Sequence, residues 1–427
     1  MTIRMMRVRL MGKLDQIVQL VEQGDVERAL ALAEQIKQNG SDEERYTLAD
    51  QLFSWGLLEE AESLVRMLLT RYPDERELQL FLAEIYTEMD KEEEALELLI
   101  DIEEDDPYYV RACLLMADLY QMQGLEEVSE QKLLKAYEKM PNEPLVQFAL
   151  AELYFTNGQY QKSLLYYEQI ITKTKTIAGT VIAQRIAEAY SLLGEFEQAL
   201  SYYEQALNER FDAHTLFQYG FTAYQAEAYK TAIAKLSELK ALDREYVPLY
   251  LFLAKSYEQE GDIQQSYEIA KEGLTIDEWN KQLLVYAGKI ALKIGKREEA
   301  LMYIEKALDI DPGYLEALFI QTSLLFHEER YEDVVHVIQQ AIAQGEYDPQ
   351  FEWELAKAKQ KLEIYDQALN HYEEAYTFFK DDPNFLYDFG YFLFEEGRRE
   401  KAKDIFEQLL RIDPTNEEIA HMMLQFE

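Results

Sequence analysis

Cysteine is almost absent. Cys113 is the single thiol in 427 residues, so no disulfide can form within the chain and an oxidising compartment is not indicated. Proline and glycine are sparse as well, nine and 17 residues respectively, which fits long helices with little punctuation. The five histidines, His214, His327, His336, His371 and His421, have no ligand-like neighbour at short spacing, and no glycine-rich phosphate loop occurs, so neither a metal nor a cofactor is expected. No apolar run approaches the roughly 18 residues of a membrane span. The N-terminus carries Arg4, Arg7, Arg9 and Lys13 without an apolar run long enough for a secretory signal, and the expected location is cytoplasmic. Basic charge is also short. The 42 Lys and Arg face 82 Asp and Glu, leaving a net charge of -40. That field repels phosphate backbones and anionic lipid, which disfavours nucleic acid and membrane surfaces as partners. It favours protein partners with a basic segment, although keeping an elongated chain soluble is its ordinary benefit. Carboxylates are so frequent that paired ones carry no catalytic information, and no enzymatic activity is expected.

Apolar and aromatic residues are plentiful. They make up 48% and 13% of the chain, with 31 Tyr, too much for a disordered acidic tail. Short phrases recur, among them GEFEQALSYYEQAL, GKREEALMYIEKAL and GRREKAKDIFEQLL. Each places a small residue before large apolar residues at helical spacing on one face. The small residues form a column: Ala29, Ala61, Ala95, Ser129, Ser163, Ala199, Ala232, Ser266, Ala300, Val334, Ala368 and Ala402. A second column runs twelve residues upstream: Ile17, Ala49, Ala83, Ala117, Ala151, Ala187, Gly220, Ala254, Gly288, Thr322, Ala356 and Gly390. Most steps are 34 residues; the first is 32, and Ser163 to Ala199 is 36.

Two locked columns of small residues read as a helical hairpin, with helix A carrying one and helix B the other, the small side chains letting the backbones approach at their crossing. Between them a Gly is common, as at Gly124, Gly194 and Gly295, supplying the left-handed conformation that ends helix A. Pro73, Pro107, Pro141, Pro312 and Pro414 follow helix B and stop it. A 34-residue unit with small residues at positions 8 and 20, Tyr at 11 (Tyr86, Tyr120, Tyr154, Tyr190, Tyr257), an aromatic at 24 (Tyr167, Tyr203, Tyr372, Phe406) and Ala at 27 resembles the tetratricopeptide repeat family. The resemblance implies an all-α solenoid, a right-handed superhelix of about twelve helix-turn-helix units. Ile17 in the first unit, Thr322 and Val334 in the tenth, Lys359 in the eleventh and Glu227 at the seventh turn depart from the pattern.

The expected organisation is a short basic segment at residues 1–9, an array over 10–414, and a capping helix over 415–427. The polar stretch at 172–179, TKTKTIAG, holds the two extra residues and is the candidate seam, read as a longer loop. In the last helix Ile419, Met422, Met423 and Phe426 fall on one face; covering the final unit is the expected role, and a homodimer contact is the alternative.

The resemblance further implies that helix A lines a concave groove through positions 2, 5, 9, 12 and 13. Position 9 is acidic in units two to six, with Asp50, Glu84, Asp118, Glu152 and Glu188. It is Lys255, Lys289 and Lys357 in units eight, nine and eleven, with Lys293 and Lys361 at position 13. Aromatics at neighbouring positions include Phe148, Phe155, Phe217, Phe221, Tyr224 and Trp353. Together they outline a bipolar groove for an extended peptide or a partner helix, charge setting register and aromatics supplying affinity. The plainer explanations are solvated charge and rings packed between units. The paired Lys and Asn with which some relatives grip a terminal carboxylate do not map onto these positions. The expected function is therefore a protein-interaction scaffold or adaptor. A regulatory sensor that binds a short peptide or small ligand and changes superhelix pitch is the alternative. Cys113, among Leu114, Leu115 and Met116, is expected to be a buried, inert thiol.

Overall fold

The computed structural model of the chain describes residues 11–426; the basic segment expected at residues 1–9 lies outside the described residues. Among the described residues twelve helical hairpins follow one another, from Met11–Glu22 with Val26–Asn39 to Pro383–Glu395 with Arg399–Ile412. A helix at Glu417–Met423 closes the series. The all-α array of helix-turn-helix units anticipated from the two columns is the fold observed.

Local chemistry explains the helix ends. Ser41 and Glu44 form a reciprocal capping box at the start of Asp42–Ser54, and Asp25, Asp262, Asn280, Asp348 and Asp382 each accept a backbone N–H at other helix starts. Pro144, Pro248, Pro349 and Pro383 open A helices, where a missing N–H costs nothing. At the A–B turns Gly124 takes φ +70°. Where the sequence has no Gly there, Asp90, Glu227, Glu329 and Glu363 adopt φ of 57–60° instead, a strained region for residues with a Cβ.

The small columns sit where the helices of a hairpin cross. A Cβ placed on Gly390 would lie 2.4 Å from Cε1 of Phe406, and one on Gly220 would lie 2.6 Å from Cγ of Leu236. The position-24 side chain of helix B thus fills the space that position 8 of helix A leaves open. Ile17, Thr322 and Val334 are buried despite their size, and helices Leu315–His327 and Tyr331–Ala343, which carry the last two, approach less closely than those of the adjoining hairpins.

The chain forms two compact units, one ending at Thr215 and the other beginning at Leu216. Within the first, residues 172–179 contain part of a small β-hairpin in which Thr176 pairs with Val181 and Ile177 with Thr180. Arg210 holds its turn by donating to the Gly179 carbonyl at 2.8 Å. Arg45, nearly buried, donates to the carbonyls of Lys37 (2.9 Å) and Gln38 (3.1 Å) and thereby satisfies the C-terminus of the preceding B helix. Within the second unit the terminal helix covers the last hairpin. Ile419 is fully buried, and the Phe426 ring stands 5.5 Å from Phe394 and 6.2 Å from Phe406.

Successive A helices lie against one another. Arg76–Glu88 touches Tyr109–Met122 in the first unit; Pro248–Gln259 touches Lys281–Lys293 and Pro349–Lys361 touches Pro383–Glu395 in the second. The surface these A helices share within each unit is its A face.

Candidate binding face

One rule recurs at the seams between A helices. At five of them position 6 of an A helix leans back onto positions 5, 9 or 12 of the A helix before it. Phe81 meets Tyr46 at 5.7 Å and Phe53 at 5.6 Å. Arg185 donates to Glu152 at 2.9 Å and lies 5.1 Å from the Phe155 ring centre. Phe252 meets Phe217, Phe221 and Tyr224 at 6.1, 4.6 and 5.7 Å. Tyr286 donates to Glu258 at 2.9 Å, and Asp388 accepts from the Trp353 indole at 3.0 Å. Position 2, one helical turn earlier on the same stripe, does the same with charge. Arg111 donates to Glu84 at 2.6 Å, Lys289 donates to Glu316, and Tyr387 and Tyr391 donate to Glu418 at 3.0 and 2.8 Å. Positions 2 and 6 are i, i+4 neighbours, so where they make these contacts one stripe of a helix grips one stripe of its predecessor.

The predicted residues all lie on A helices, and most are already engaged. Glu84 is held by Arg111. Glu152 and Glu188 are bridged by Arg185, and Glu152 also accepts from Tyr167. Lys289, Lys293 and Lys357 pair with Glu316, Glu258 and Glu354. Among the described residues Asp50, Asp118, Lys255 and Lys361 have no ion-pair partner. The aromatics are half-buried against other rings: Phe148 on Tyr167 at 6.4 Å, Phe155 on Tyr160 at 5.4 Å, and Trp353 on Phe385 at 5.3 Å. Phe217, Phe221 and Tyr224 share one side of helix Ala213–Gln225 and form, with Tyr246 and Phe252, the densest half-exposed ring cluster of the second unit's A face. Sequence reasoning missed Phe252, Tyr246, Tyr286 and Arg185. Three of them occupy position 6, outside the groove positions that the resemblance implies, and a spacing of 27 residues between opposite charges marks the Glu84–Arg111 and Lys289–Glu316 pairs.

The electrostatics follow the same geometry. Asp118 is open to solvent, yet the surrounding helices crowd it and loss of hydration pushes its carboxyl above the usual range. Burial raises Asp388 similarly, the Trp353 hydrogen bond opposing it. Burial, with Glu77 and Asp50 nearby, pushes the Tyr46 phenol up to about 12. Cys113 is buried as expected, and burial raises its thiol, which suppresses the thiolate. Among the described residues no group of three or more His, Cys, Asp or Glu could hold a metal ion, and no helix is long and apolar enough to cross a membrane.

Family models give these observations a context. A model described as YpiA-like tetratricopeptide repeats matches residues 121–175, and one described as YpiA-like, C-terminal tetratricopeptide repeats matches 349–416. General tetratricopeptide repeat models match 183–213 and 283–314. The TPR repeat-containing protein YpiA of Bacillus subtilis (strain 168) is 44% identical over 414 residues, covering 97% of this chain and 98% of that protein. A DnaJ homolog subfamily C member 7 homolog of Schizosaccharomyces pombe is 31% identical over 108 residues, 24% of this chain and 23% of that one. Among solved structures, the APC/C hetero-tetramer Cut9-Hcn1 aligns with a TM-score of 0.42 at 13% identity, covering 96% of this chain and 95% of that one. YrrB, a tetratricopeptide repeat protein, aligns with a TM-score of 0.38 at 18% identity, covering 44% and 97%.

Proposed function

This chain belongs to the YpiA-like tetratricopeptide repeat family, and on that premise we propose that it is an interaction scaffold that holds an extended segment of a partner protein on its A face. The observation that carries the reading is the ring cluster of Phe217, Phe221, Tyr224 and Phe252, which stays half-exposed on adjoining A helices. Elsewhere on the second unit's A face Phe385 and Phe389 are closed over, at 0% and 4% exposed. Aromatic side chains left partly open at a seam supply large, rigid contact area to a ligand. Asp50 and Asp118 in the first unit, and Lys255 and Lys361 in the second, leave charge unsatisfied beside such seams and would set register. No catalytic step is assigned.

The test is site-specific photo-crosslinking in cells of the source organism, with p-benzoylphenylalanine placed at Phe221 or, on an exposed B-helix position, at Met302 (53% exposed). Adducts with a protein at 221 and none at 302 support the reading. Adducts only at 302 move the partner to the B face and end it.

A further inference from the structure

On the second unit's A face, three successive A helices, Ala213–Gln225, Pro248–Gln259 and Lys281–Lys293, present different chemistry. The first contributes Phe217, Phe221 and Tyr224, and Phe252 of the second lies across them, Tyr246 adding a ring at 5.2 Å from Phe217. One turn on, Lys255 points its ammonium at the Phe252 and Tyr286 rings, 5.7 and 6.0 Å from their centres. Beyond it, Lys289 and Lys293 are held by Glu316 and Glu258.

Lys255 differs from its neighbours. The other described position-9 lysines of this unit, Lys289 and Lys357, each have a carboxylate on their own or the next A helix. For Lys255 the next helix offers Gln282 at position 2 and Tyr286 at position 6, neither of them charged. Glu316 feels its field but is taken by Lys289, and Glu258 by Lys293 and Tyr286. The strip therefore joins an open aromatic floor to a fixed cation that lacks a counter-charge. The ring faces keep the ammonium within the groove of the seam.

Building on the A-face reading, we propose that this strip selects a partner segment in which an aromatic or large aliphatic side chain is followed closely by a carboxylate. The apolar side chain sits on Phe217, Phe221 and Phe252, and the carboxylate meets the Lys255 ammonium. The chain's overall charge of -40 opposes an acidic ligand at long range. At physiological ionic strength that field is screened beyond roughly 8 Å, so the local cation decides.

The experiment uses the full chain and three fluorescein-labelled decapeptides in one Gly/Ser frame: Phe with flanking Glu, Phe with flanking Lys, and Ala with flanking Glu. Binding is read by fluorescence anisotropy at physiological salt, for wild type, Lys255→Gln, Lys255→Glu and Phe221→Ala, each first shown to keep its helical circular dichroism and melting midpoint. The expected order for wild type is Phe/Glu tightest, by about tenfold, the size of one charge-assisted contact. Lys255→Gln should abolish that preference, and Lys255→Glu should reverse it toward Phe/Lys. If Phe/Glu and Phe/Lys bind wild type equally, or Lys255→Gln leaves the preference intact, the inference is overturned while the A-face reading stands. If no Phe peptide binds wild type better than Phe221→Ala, the A-face reading falls and takes the inference with it.

Discussion

Replacing Gly390 with Ala tests the crossing of the last hairpin by a single carbon. The added Cβ would stand 2.4 Å from Cε1, 2.8 Å from Cδ1 and 3.0 Å from Cζ of Phe406. Carbon atoms settle near 3.5–4.0 Å, so the ring must retreat by roughly 1 Å. It has nowhere to go. Phe406 is fully buried, with Tyr391 at 5.6 Å and Phe426 at 6.2 Å on its edges. Overpacking of this kind costs about 1–3 kcal/mol, and better helix propensity returns about 1 kcal/mol, leaving a net loss of about 0–2 kcal/mol. Gly288→Ala is the matched control. There the Cβ meets Cδ1 of Ile304 at 2.9 Å and Cγ1 at 3.1 Å, the far end of a flexible side chain, so propensity should cancel or exceed the strain. The assay is urea unfolding read from Trp353, whose indole donates to Asp388 and packs on Phe385 beside this hairpin. Trp55→Phe and Trp279→Phe remove the other two tryptophans from the signal. Gly390→Ala should lower the midpoint relative to Gly288→Ala. A higher midpoint for Gly390→Ala than for Gly288→Ala would show that Phe406 does not close over position 390 as described above.

Ala151 and Ala199 are fully buried at the A and B columns, so Ala151→Leu or Ala199→Leu should each cost about 1–3 kcal/mol; wild-type melting of either variant would contradict the register. Glu363 stands at φ 60° at the eleventh turn, and Glu363→Gly should stabilise by up to about 1 kcal/mol, the relief of a left-handed residue with a Cβ; a lower melting temperature would refute it. Burial and a hydrogen-bond neighbour, Cys113, push the Tyr109 phenol up to about 12. A folded-state value above the usual 10 favours the protonated form, so its stabilisation is complete below pH 10 and is lost as pH rises toward 12, on the order of 2 kcal/mol. Urea midpoints at pH 8 and pH 11 should therefore differ less in Tyr109→Phe than in wild type, and an identical difference would contradict this account.

Much of the fold was legible because a repeat array writes each contact many times. The Ala and Gly columns, the turn glycines and the position-11 tyrosines each recur, and they fixed twelve hairpins and their crossings. The face that carries the candidate site was less legible. Reading one column at a time identified position 9 as charged, but its meaning depends on positions 2 and 6 of the following helix, 27 and about 31 residues on. Asp388 shows why. On sequence it is one carboxylate among 82 Asp and Glu; in the fold it is half-buried and accepts the Trp353 indole. Non-glycine turns were also opaque, since Glu329 and Glu363 carry no sign that their backbones will enter the left-handed region.

The seam rule separates two explanations of the acidic column that composition alone could not distinguish. If Glu84 serves a ligand, its sign matters in itself. If it serves the array, only its complementarity to Arg111 matters, at the 2.6 Å contact between their side chains. Glu84→Arg alone places two cations at one seam, and Arg111→Glu alone places two carboxylates there; exchanging both restores an attractive pair with the opposite polarity. Both groups are partly solvated, at 24% and 46% exposure, so the coupling free energy from a double-mutant cycle should be about 0.2–1 kcal/mol. The exchanged variant should melt close to wild type and above either single variant. It should also bind any first-unit partner undiminished, because the charge left available there belongs to Asp50 and Asp118. A partner that dissociates from the exchanged variant while its melting is restored would return Glu84 to the ligand and limit the seam rule to the uncharged contacts.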